Sequence, residues 1–312
     1  RRTEATRSVR THEIHRTACE ALVAHFGADR PMHTVTTAEA EAFLHAPRGE
    51  SGEPWAPATQ ASYRMVAGAL WRYAIEREAE EAERQSVAPT LTRNPWRRAR
   101  VRAARRSRPS VLTEEEIRDL LGHPAVAGTP REAFLAIAAY AGLRLQEITH
   151  LRTSQDVVLD GPRPMLRVQS RDGDHAWRPK TARSERDVRI PPVLVEILRR
   201  HIARGFAGTR YLFRAPGRDA PISSHTAREW TRNAFEAAGL QYGRDDGDGV
   251  TLHSLRHSHA TILLSRGISI AAVADRLGDT QQIVLETYSH ALPDDEERAL
   301  SILDRIAREG GR

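Results

Sequence analysis

The chain has 312 residues, which is enough for two domains, and its charged fraction of 28% and hydrophobic fraction of 40% exclude a disordered or membrane-embedded class. Its longest nearly unbroken apolar run, residues 134–143, is about half of what a bilayer span requires, and no apolar stretch follows the first arginines. The single cysteine, Cys19, excludes an intramolecular disulfide and an all-cysteine metal site. We therefore expect a cytoplasmic protein with no membrane contact and no structural metal.

The net charge of +6 lies entirely in residues 1–112. Residues 93–108 carry eight arginines and no acidic residue, a run that suits contact with the phosphates of nucleic acid, although a solvated linker is the alternative. We predict DNA contact through these eight side chains, namely Arg93, Arg97, Arg98, Arg100, Arg102, Arg105, Arg106 and Arg108.

The first hundred residues show the patterns of a small helical domain. Residues 8–27 and 59–78 have helical apolar spacing, and Thr36 with Glu39 forms a capping box that starts a third helix. We predict a helical domain over residues 1–92 and an arginine-rich linker over residues 93–112.

The remainder of the chain mixes helices with a few strands. Thr113 and Glu116 form another capping box, and a helix over residues 131–141 ends at Gly142. Residues 165–168 and 187–190 alternate like half-buried strands, which indicates a hairpin or a three-stranded sheet. Further helices are predicted over residues 192–203, 224–238, 254–266, 270–277 and 281–289, with a tail helix from residue 294.

Lys180 is the only lysine among 47 basic residues. Arginine can replace lysine as a cation but does not give up a proton near neutral pH. A single lysine therefore suggests a role in proton transfer, unless it remained by chance.

Five short motifs follow one another over about 150 residues in this second region. They are Ala141-Gly-Leu-Arg144-Leu-Gln-Glu147, Lys180-Thr-Ala-Arg-Ser184, His253-Ser-Leu-Arg256, Leu277-Gly-Asp279 and Thr287-Tyr288-Ser-His290. As an ordered set they resemble the tyrosine recombinase or phage integrase family. The resemblance is specific over residues 113–293 and general in the N-terminal part.

The resemblance implies a fold class and a way of holding DNA. The class is mainly α with a small antiparallel β-sheet: a helical N-terminal core-binding domain, and an α+β catalytic domain over residues 113–312 with a C-terminal tail helix. In that family the two domains clamp duplex DNA, and the basic linker lies on the DNA.

Arg144 and Arg256 are the candidate phosphate ligands. An attacked phosphodiester gains charge on its equatorial oxygens, and two planar guanidinium forks suit that charge. The resemblance assigns Glu147 a supporting position. Without the resemblance, Arg144 could equally be an ordinary surface arginine or could pair only with Glu147, three residues later on the same helical face.

The resemblance makes Tyr288 the nucleophile and Lys180 the acid for the departing 5′ oxygen. His253 would exchange a proton with the tyrosine or the phosphate. A phosphotyrosyl bond stores the energy of the phosphodiester, so no cofactor and no metal are expected. The alternative of a zinc site on His253, His257 and His259 lacks both a thiol and the His-Glu-x-x-His pattern.

Asp279 departs from the family pattern, which usually has histidine or tryptophan after Leu-Gly. A carboxylate only accepts hydrogen bonds and repels a phosphate. It is expected to cap the helix that follows Gly278; a protonated or water-mediated catalytic role and impaired catalysis are the alternatives. His257 or His290 would then compensate.

The sequence thus predicts a site-specific DNA recombinase that cleaves and rejoins strands through a 3′-phosphotyrosyl intermediate. The alternatives are a non-catalytic helix-turn-helix-like regulator, based on residues 268–278, and a strand cleaver similar to type IB topoisomerases. The expected partners are double-stranded DNA, a homotetramer on two DNA sites that exchanges C-terminal helices, and accessory DNA-bending or directionality proteins. The expected place is the nucleoid in the cytoplasm.

Overall fold

The computed structural model describes residues 9–47, 52–102, 109–172, 175–179, 182–208, 210–243, 249–292 and 296–309. The chain divides into two compact units, Arg1–Arg106 and Ser107–Arg312. Within the described residues, no helix combines the length and the apolar character that crossing a membrane requires.

The first unit contains helices α1 (Val9–Phe26), α2 (Thr37–His45) and α3 (Pro57–Gln85). The capping box predicted at α2 is confirmed: the Thr36 hydroxyl accepts from the backbone N–H of Glu39, and the Glu39 carboxylate accepts from the backbone N–H of Thr36. Helix α3 runs seven residues beyond the predicted end at residue 78. The last part of the helix carries exposed i,i+3 ion pairs in place of an apolar stripe. The spacing of apolar residues therefore could not predict that the helix continues there.

Part of the arginine-rich segment is folded into the first unit. Trp96, in the 3₁₀ turn Pro95–Arg97, is 1% exposed and packs edge-on against Phe26, Phe43 and Trp71. Burial of this indole explains why residues 93–102 pack against the core of the first unit, although the sequence predicted that they belong to a linker. The arginines between the buried positions are exposed at Arg93, Arg97, Arg98, Arg100 and Arg102, whereas Arg105, Arg106 and Arg108 lie outside the described residues.

The second unit is built around one buried helix. Its helices are α4 (Glu114–Gly122), α5 (Pro130–Ala141), α6 (Leu145–Thr149), α7 (Thr153–Asp156), α8 (Pro192–Ala203), α9 (Ser224–Ala237), α10 (Leu252–Ser265), α11 (Ile270–Leu277), α12 (Gln281–Tyr288) and α13 (Glu296–Glu309). Helix α5 is apolar on nearly every side and packs against α8, α9 and α10. It is therefore the centre of the core, and it places the loop that follows it beside α10.

The small sheet is antiparallel and three-stranded, in the order β1 (Val157–Val158), β2 (Met165–Val168) and β3 (Arg186–Arg189). Leu166 pairs with Val188, and both are buried. This confirms the three-stranded alternative, and with it the expected mainly α class with a small antiparallel sheet. Strand β3 begins one residue earlier than predicted, at Arg186, which becomes important in the site below.

Helix α13 presents an apolar face to solvent within the second unit. Leu300, Leu303 and Ile306 recur at helical spacing and are each about three-fifths exposed. Large apolar side chains in such a row usually mark a surface that another element covers.

Candidate active site

Arg144 and Arg256 converge where the second unit's core helices meet. Helix α5 ends at Gly142, whose φ of 67° is left-handed, and Arg144 then occupies the N-cap position of α6. Arg256 lies on α10, is 2% exposed, and donates from Nη1 to the Gly142 carbonyl at 2.5 Å. The carbonyl of Leu277 accepts from Arg144 Nη1 at 3.4 Å and from Arg256 Nη2 at 2.9 Å. The two guanidiniums thus share one backbone acceptor.

Asp279 bridges the same two guanidiniums. Its Oδ1 accepts from Arg144 Nη2, and its Oδ2 accepts from Arg256 Nη2 at 2.5 Å. The expected helix cap at Asp279 is wrong: the side chain of Thr280 caps α12, accepting from the backbone N–H of Ile283 at 3.2 Å. Two charge-assisted hydrogen bonds outweigh one bond to a backbone amide, so the carboxylate turns towards the arginines.

Glu147 lies behind the arginine pair and is almost fully buried. Its carboxylate accepts from Arg144 Nη1 at 3.0 Å and from both Nη atoms of Arg186 at 3.0 and 3.1 Å. Burial alone would raise the pKa of Glu147, but the hydrogen bonds and charge of Arg186, followed by those of Arg144, hold that pKa below its ordinary value. Glu147 is therefore charged at neutral pH. The alternative of an isolated surface pair between Arg144 and Glu147 does not hold, because the same carboxylate also binds the nearly buried Arg186.

Arg186 is a member of this cluster that the sequence analysis missed. Besides Glu147, it donates to the carbonyl of Ser184 at 2.9 Å and to that of Arg276 at 2.8 Å, and it is nearly buried. A signal was present in the strand alternation, which places Arg186 on the same face as the buried Val188 and Ile190 and Arg189 on the opposite face. Arg186 was missed because the predicted strand began one residue later, at Asp187.

The cluster carries an excess of positive charge. Three guanidiniums, those of Arg144, Arg186 and Arg256, are matched by the two carboxylates of Glu147 and Asp279. Burial, followed by the charge of Arg144, lowers the pKa of Arg256 to about 10, which still leaves it charged at neutral pH. Arg144 is 31% exposed and Asp279 18%, so an anion can approach from their side.

Tyr288 closes α12 beside this cluster, with its side chain 4% exposed. Its hydroxyl lies 2.6 Å from Nδ1 of His257 on α10. Burial raises the pKa of Tyr288 to about 12, and the charges of Arg256 and Arg144 act in the opposite direction. The phenol is therefore protonated at neutral pH and lies within the field of the arginine pair.

The histidines of α10 have separate surroundings. His253 is exposed and touches His257 edge-on, with ring centroids 4.4 Å apart. His259 is buried on another side, where Nδ1 donates to the Ala139 carbonyl at 2.8 Å and Nε2 accepts from Arg276 Nε at 2.8 Å. Burial, followed by the charge of Arg276, lowers the pKa of His259 to about 3. Both nitrogens of His259 are engaged, and no metal-binding cluster occurs within the described ranges.

Lys180 and Thr181 lie outside the described residues, but the chain just after them is placed. A Cβ at Gly278 would come within 3.1 Å of Ser184 Cα, so the segment leading into β3 runs directly beside Asp279. Among the predicted site residues, the structure brings Arg144, Glu147, Arg256, Asp279 and Tyr288 together.

Comparisons with known proteins agree with this fold. The model of the phage integrase family matches residues 110–294. A tyrosine recombinase of Thermosipho africanus is 28% identical over 198 residues, which cover 63% of this chain and 62% of that protein. The chain therefore spans less than two thirds of the length of this relative.

Two solved structures share the fold across nearly the whole chain. The Tn1549 transposon integrase in complex with transposon right end DNA has a TM-score of 0.70 at 16% identity, covering 98% of this chain and 96% of that one. A lambda integrase tetramer bound to a Holliday junction has a TM-score of 0.66 at 20% identity, covering 95% and 75%. With the family model spanning more than half of the sequence, the chain belongs to the phage integrase family.

Proposed function

We propose that the protein is a site-specific DNA recombinase that cleaves and rejoins DNA strands through a phosphotyrosyl intermediate. The observation that carries the proposal is the junction of α5, α10, α11 and α12, where a buried tyrosine lies beside paired guanidiniums that suit one phosphate. The family, and the relative named a tyrosine recombinase, support the same activity. A regulator that only binds DNA would have no use for this buried arrangement.

In the proposed reaction, Arg144 and Arg256 bind the non-bridging oxygens of the phosphodiester and stabilise the charge that develops there. The phenolic oxygen of Tyr288 attacks phosphorus, and the 5′ oxygen leaves with a proton from Lys180. His253 contributes to proton exchange or to the phosphate contact. Because the 3′-phosphotyrosyl bond retains the energy of the broken bond, rejoining proceeds with the chain's own residues.

Asp279 would hold the arginine pair in place until DNA arrives. Both protons of Arg256 Nη2 are engaged, one by the Leu277 carbonyl and one by Asp279. A phosphate oxygen that binds this nitrogen therefore has to displace the carboxylate. We propose that Asp279 prearranges the pair in place of the usual histidine or tryptophan.

Replacing the leaving oxygen by sulfur separates the roles of Lys180 and Arg144. Lys180→Ala should cleave a duplex with a 5′-bridging phosphorothiolate nearly as fast as the unchanged protein, because a thiolate departs without an acid. Arg144→Ala should stay about 10²–10³-fold slow on both duplexes, because charge stabilisation is still missing. The rate of covalent adduct formation measures both effects, and equal rescue of the two variants would refute the assignment.

The exposed arginines of the first unit are proposed to contact DNA phosphates. Removing Arg97 and Arg98 together should flatten the slope of log affinity against log salt by up to about two units, since each phosphate contact contributes roughly 0.9. The matched control removes Arg77 and Arg84, which are also exposed but pair with Glu80 and Glu81. Binding to a random duplex at several salt concentrations decides the matter; equal slopes for the two double variants would contradict the proposal.

The proposed assembly is a homotetramer on two double-stranded DNA sites. The lambda integrase tetramer on a Holliday junction shares the fold, and the exposed face of α13 at Leu300, Leu303 and Ile306 suits exchange between protomers. We also propose nucleoid association in the cytoplasm and a role for accessory DNA-bending or directionality proteins.

The activity is tested by strand exchange between two labelled duplexes that carry the same recognised site. A recombinase produces sequence-specific recombinant joints. Relaxation of supercoils without joints would indicate a topoisomerase-like cleaver, and tight binding without any cleavage would indicate the regulator.

A further inference from the structure

The hydroxyl of Tyr288 has a hydrogen-bonding partner outside the five motifs. Nδ1 of His257 lies 2.6 Å from the phenolic oxygen, and the two rings are 5.6 Å apart between centroids. His257 follows Arg256 directly on α10, and successive side chains of a helix point about 100° apart. Helix α10 therefore places Arg256 next to Asp279 and Arg144, where the phosphate is proposed to bind, and places His257 next to the hydroxyl of Tyr288.

The phenol needs a group that removes its proton. Its pKa of about 12 means that almost none of it is ionised at neutral pH. The distance to His257 lies within the roughly 2.6–3.2 Å that general base catalysis needs, and imidazole is the side chain most often used for it.

We propose that His257 is the catalytic base for Tyr288, an inference that rests on the proposed recombinase function. Nδ1 takes the phenolic proton while the phenolic oxygen bonds to phosphorus. The bond from phosphorus to the 5′ oxygen breaks, and Lys180 protonates that oxygen. In the rejoining step the 5′ hydroxyl returns its proton to Lys180, and His257 returns its proton to Tyr288.

This assignment divides the work between the two neighbouring histidines. His257 exchanges the proton of the tyrosine, and His253, which is exposed and in edge contact with it, serves the phosphate. The tautomer that the reaction requires carries its proton on Nε2, so that Nδ1 accepts from the Tyr288 hydroxyl.

His257→Asn provides the sharpest test, because asparagine retains a short hydrogen-bonding group but accepts no proton. The rate of adduct formation should fall about 10²–10³-fold on the nicked duplex, from the DNA flanking the gene, that traps the unchanged protein. A fluorinated tyrosine at position 288, whose phenol is a stronger acid, should recover most of that loss. His225→Asn, an exposed histidine on α9 beside Glu229, is the control and should keep the full rate.

An unchanged rate in His257→Asn, or an equal loss with ordinary and fluorinated tyrosine, would overturn the proposal. Absence of any adduct in the unchanged protein would instead overturn the recombinase function on which it rests. A second measurement needs no variant of His257: nitrogen NMR of the imidazoles should show an unprotonated Nδ1 whose shift changes in Tyr288→Phe. A protonated Nδ1 would contradict the assignment.

Discussion

Arg256→Ala should lower both the stability of the second unit and the rate of strand cleavage. The guanidinium is buried and paired with Asp279, and its removal takes away the donor to the Gly142 carbonyl and leaves the Leu277 carbonyl with only the longer bond from Arg144. Breaking one partner of a buried ion pair costs about 3–5 kcal/mol in the free energy of unfolding. Because Arg256 is proposed to bind the phosphate, its loss should also slow adduct formation by roughly 10²–10³-fold in the protein that remains folded.

Arg266 supplies the matched control for this prediction, since it caps the C-terminal end of the same helix. It pairs with Glu114 on the surface, with both side chains about half exposed or more. Arg266→Ala should change the free energy of unfolding by less than about 1 kcal/mol. Chemical denaturation of both variants measures the difference. A stability of Arg256→Ala within 1 kcal/mol, roughly, of the unchanged protein would contradict the account of a buried bridge.

Glu147→Gln should be the second most damaging change, although the side chain keeps its size. The amide cannot balance the charges of Arg144 and Arg186, which then lie buried or half-buried against each other. We expect a loss of about 3–5 kcal/mol in the free energy of unfolding. Adduct formation should also slow, because Arg144 loses one of its two carboxylate partners and is held only by Asp279 and the Leu277 carbonyl.

The pH dependence of this effect has a definite sign. Because folding lowers the pKa of Glu147 below its ordinary 4.5, the ionised carboxylate stabilises the fold above about that pH. This contribution disappears as the pH falls through the lowered pKa. The gap in unfolding free energy between the unchanged protein and Glu147→Gln should therefore be widest near neutral pH and shrink in acid. A gap that is constant from pH 7 to the acid limit would contradict the charge-based explanation.

Most of the fold could be predicted from local signals. The capping boxes at Thr36 and Thr113 and the stop at Gly142 each appear where the sequence places them. Helices α8 and α11 have the predicted bounds, because proline starts one and Gly278 ends the other. Helices α6 and α7 could not be predicted, since five and four residues are too few to show a period.

The site could be predicted only in part, because its missing pieces depend on distant contacts. Motif order indicated Arg144, Arg256 and Tyr288, which the structure brings together. Asp279 has the residue type and position of a helix cap, but Arg144, 135 residues earlier in the chain, competes for its carboxylate. Arg186 likewise meets Glu147 across 39 residues. No local rule anticipates either pairing.

Covalent trapping tests the central claim most directly. The protein is incubated without added metal on nicked duplexes tiled across the DNA that flanks its gene, and denaturant-resistant adducts are mapped by mass spectrometry. The account predicts an adduct on Tyr288 that disappears in Tyr288→Phe, while duplex binding by that variant is retained. Tight, sequence-specific binding with no adduct, or an adduct on another residue, would contradict it.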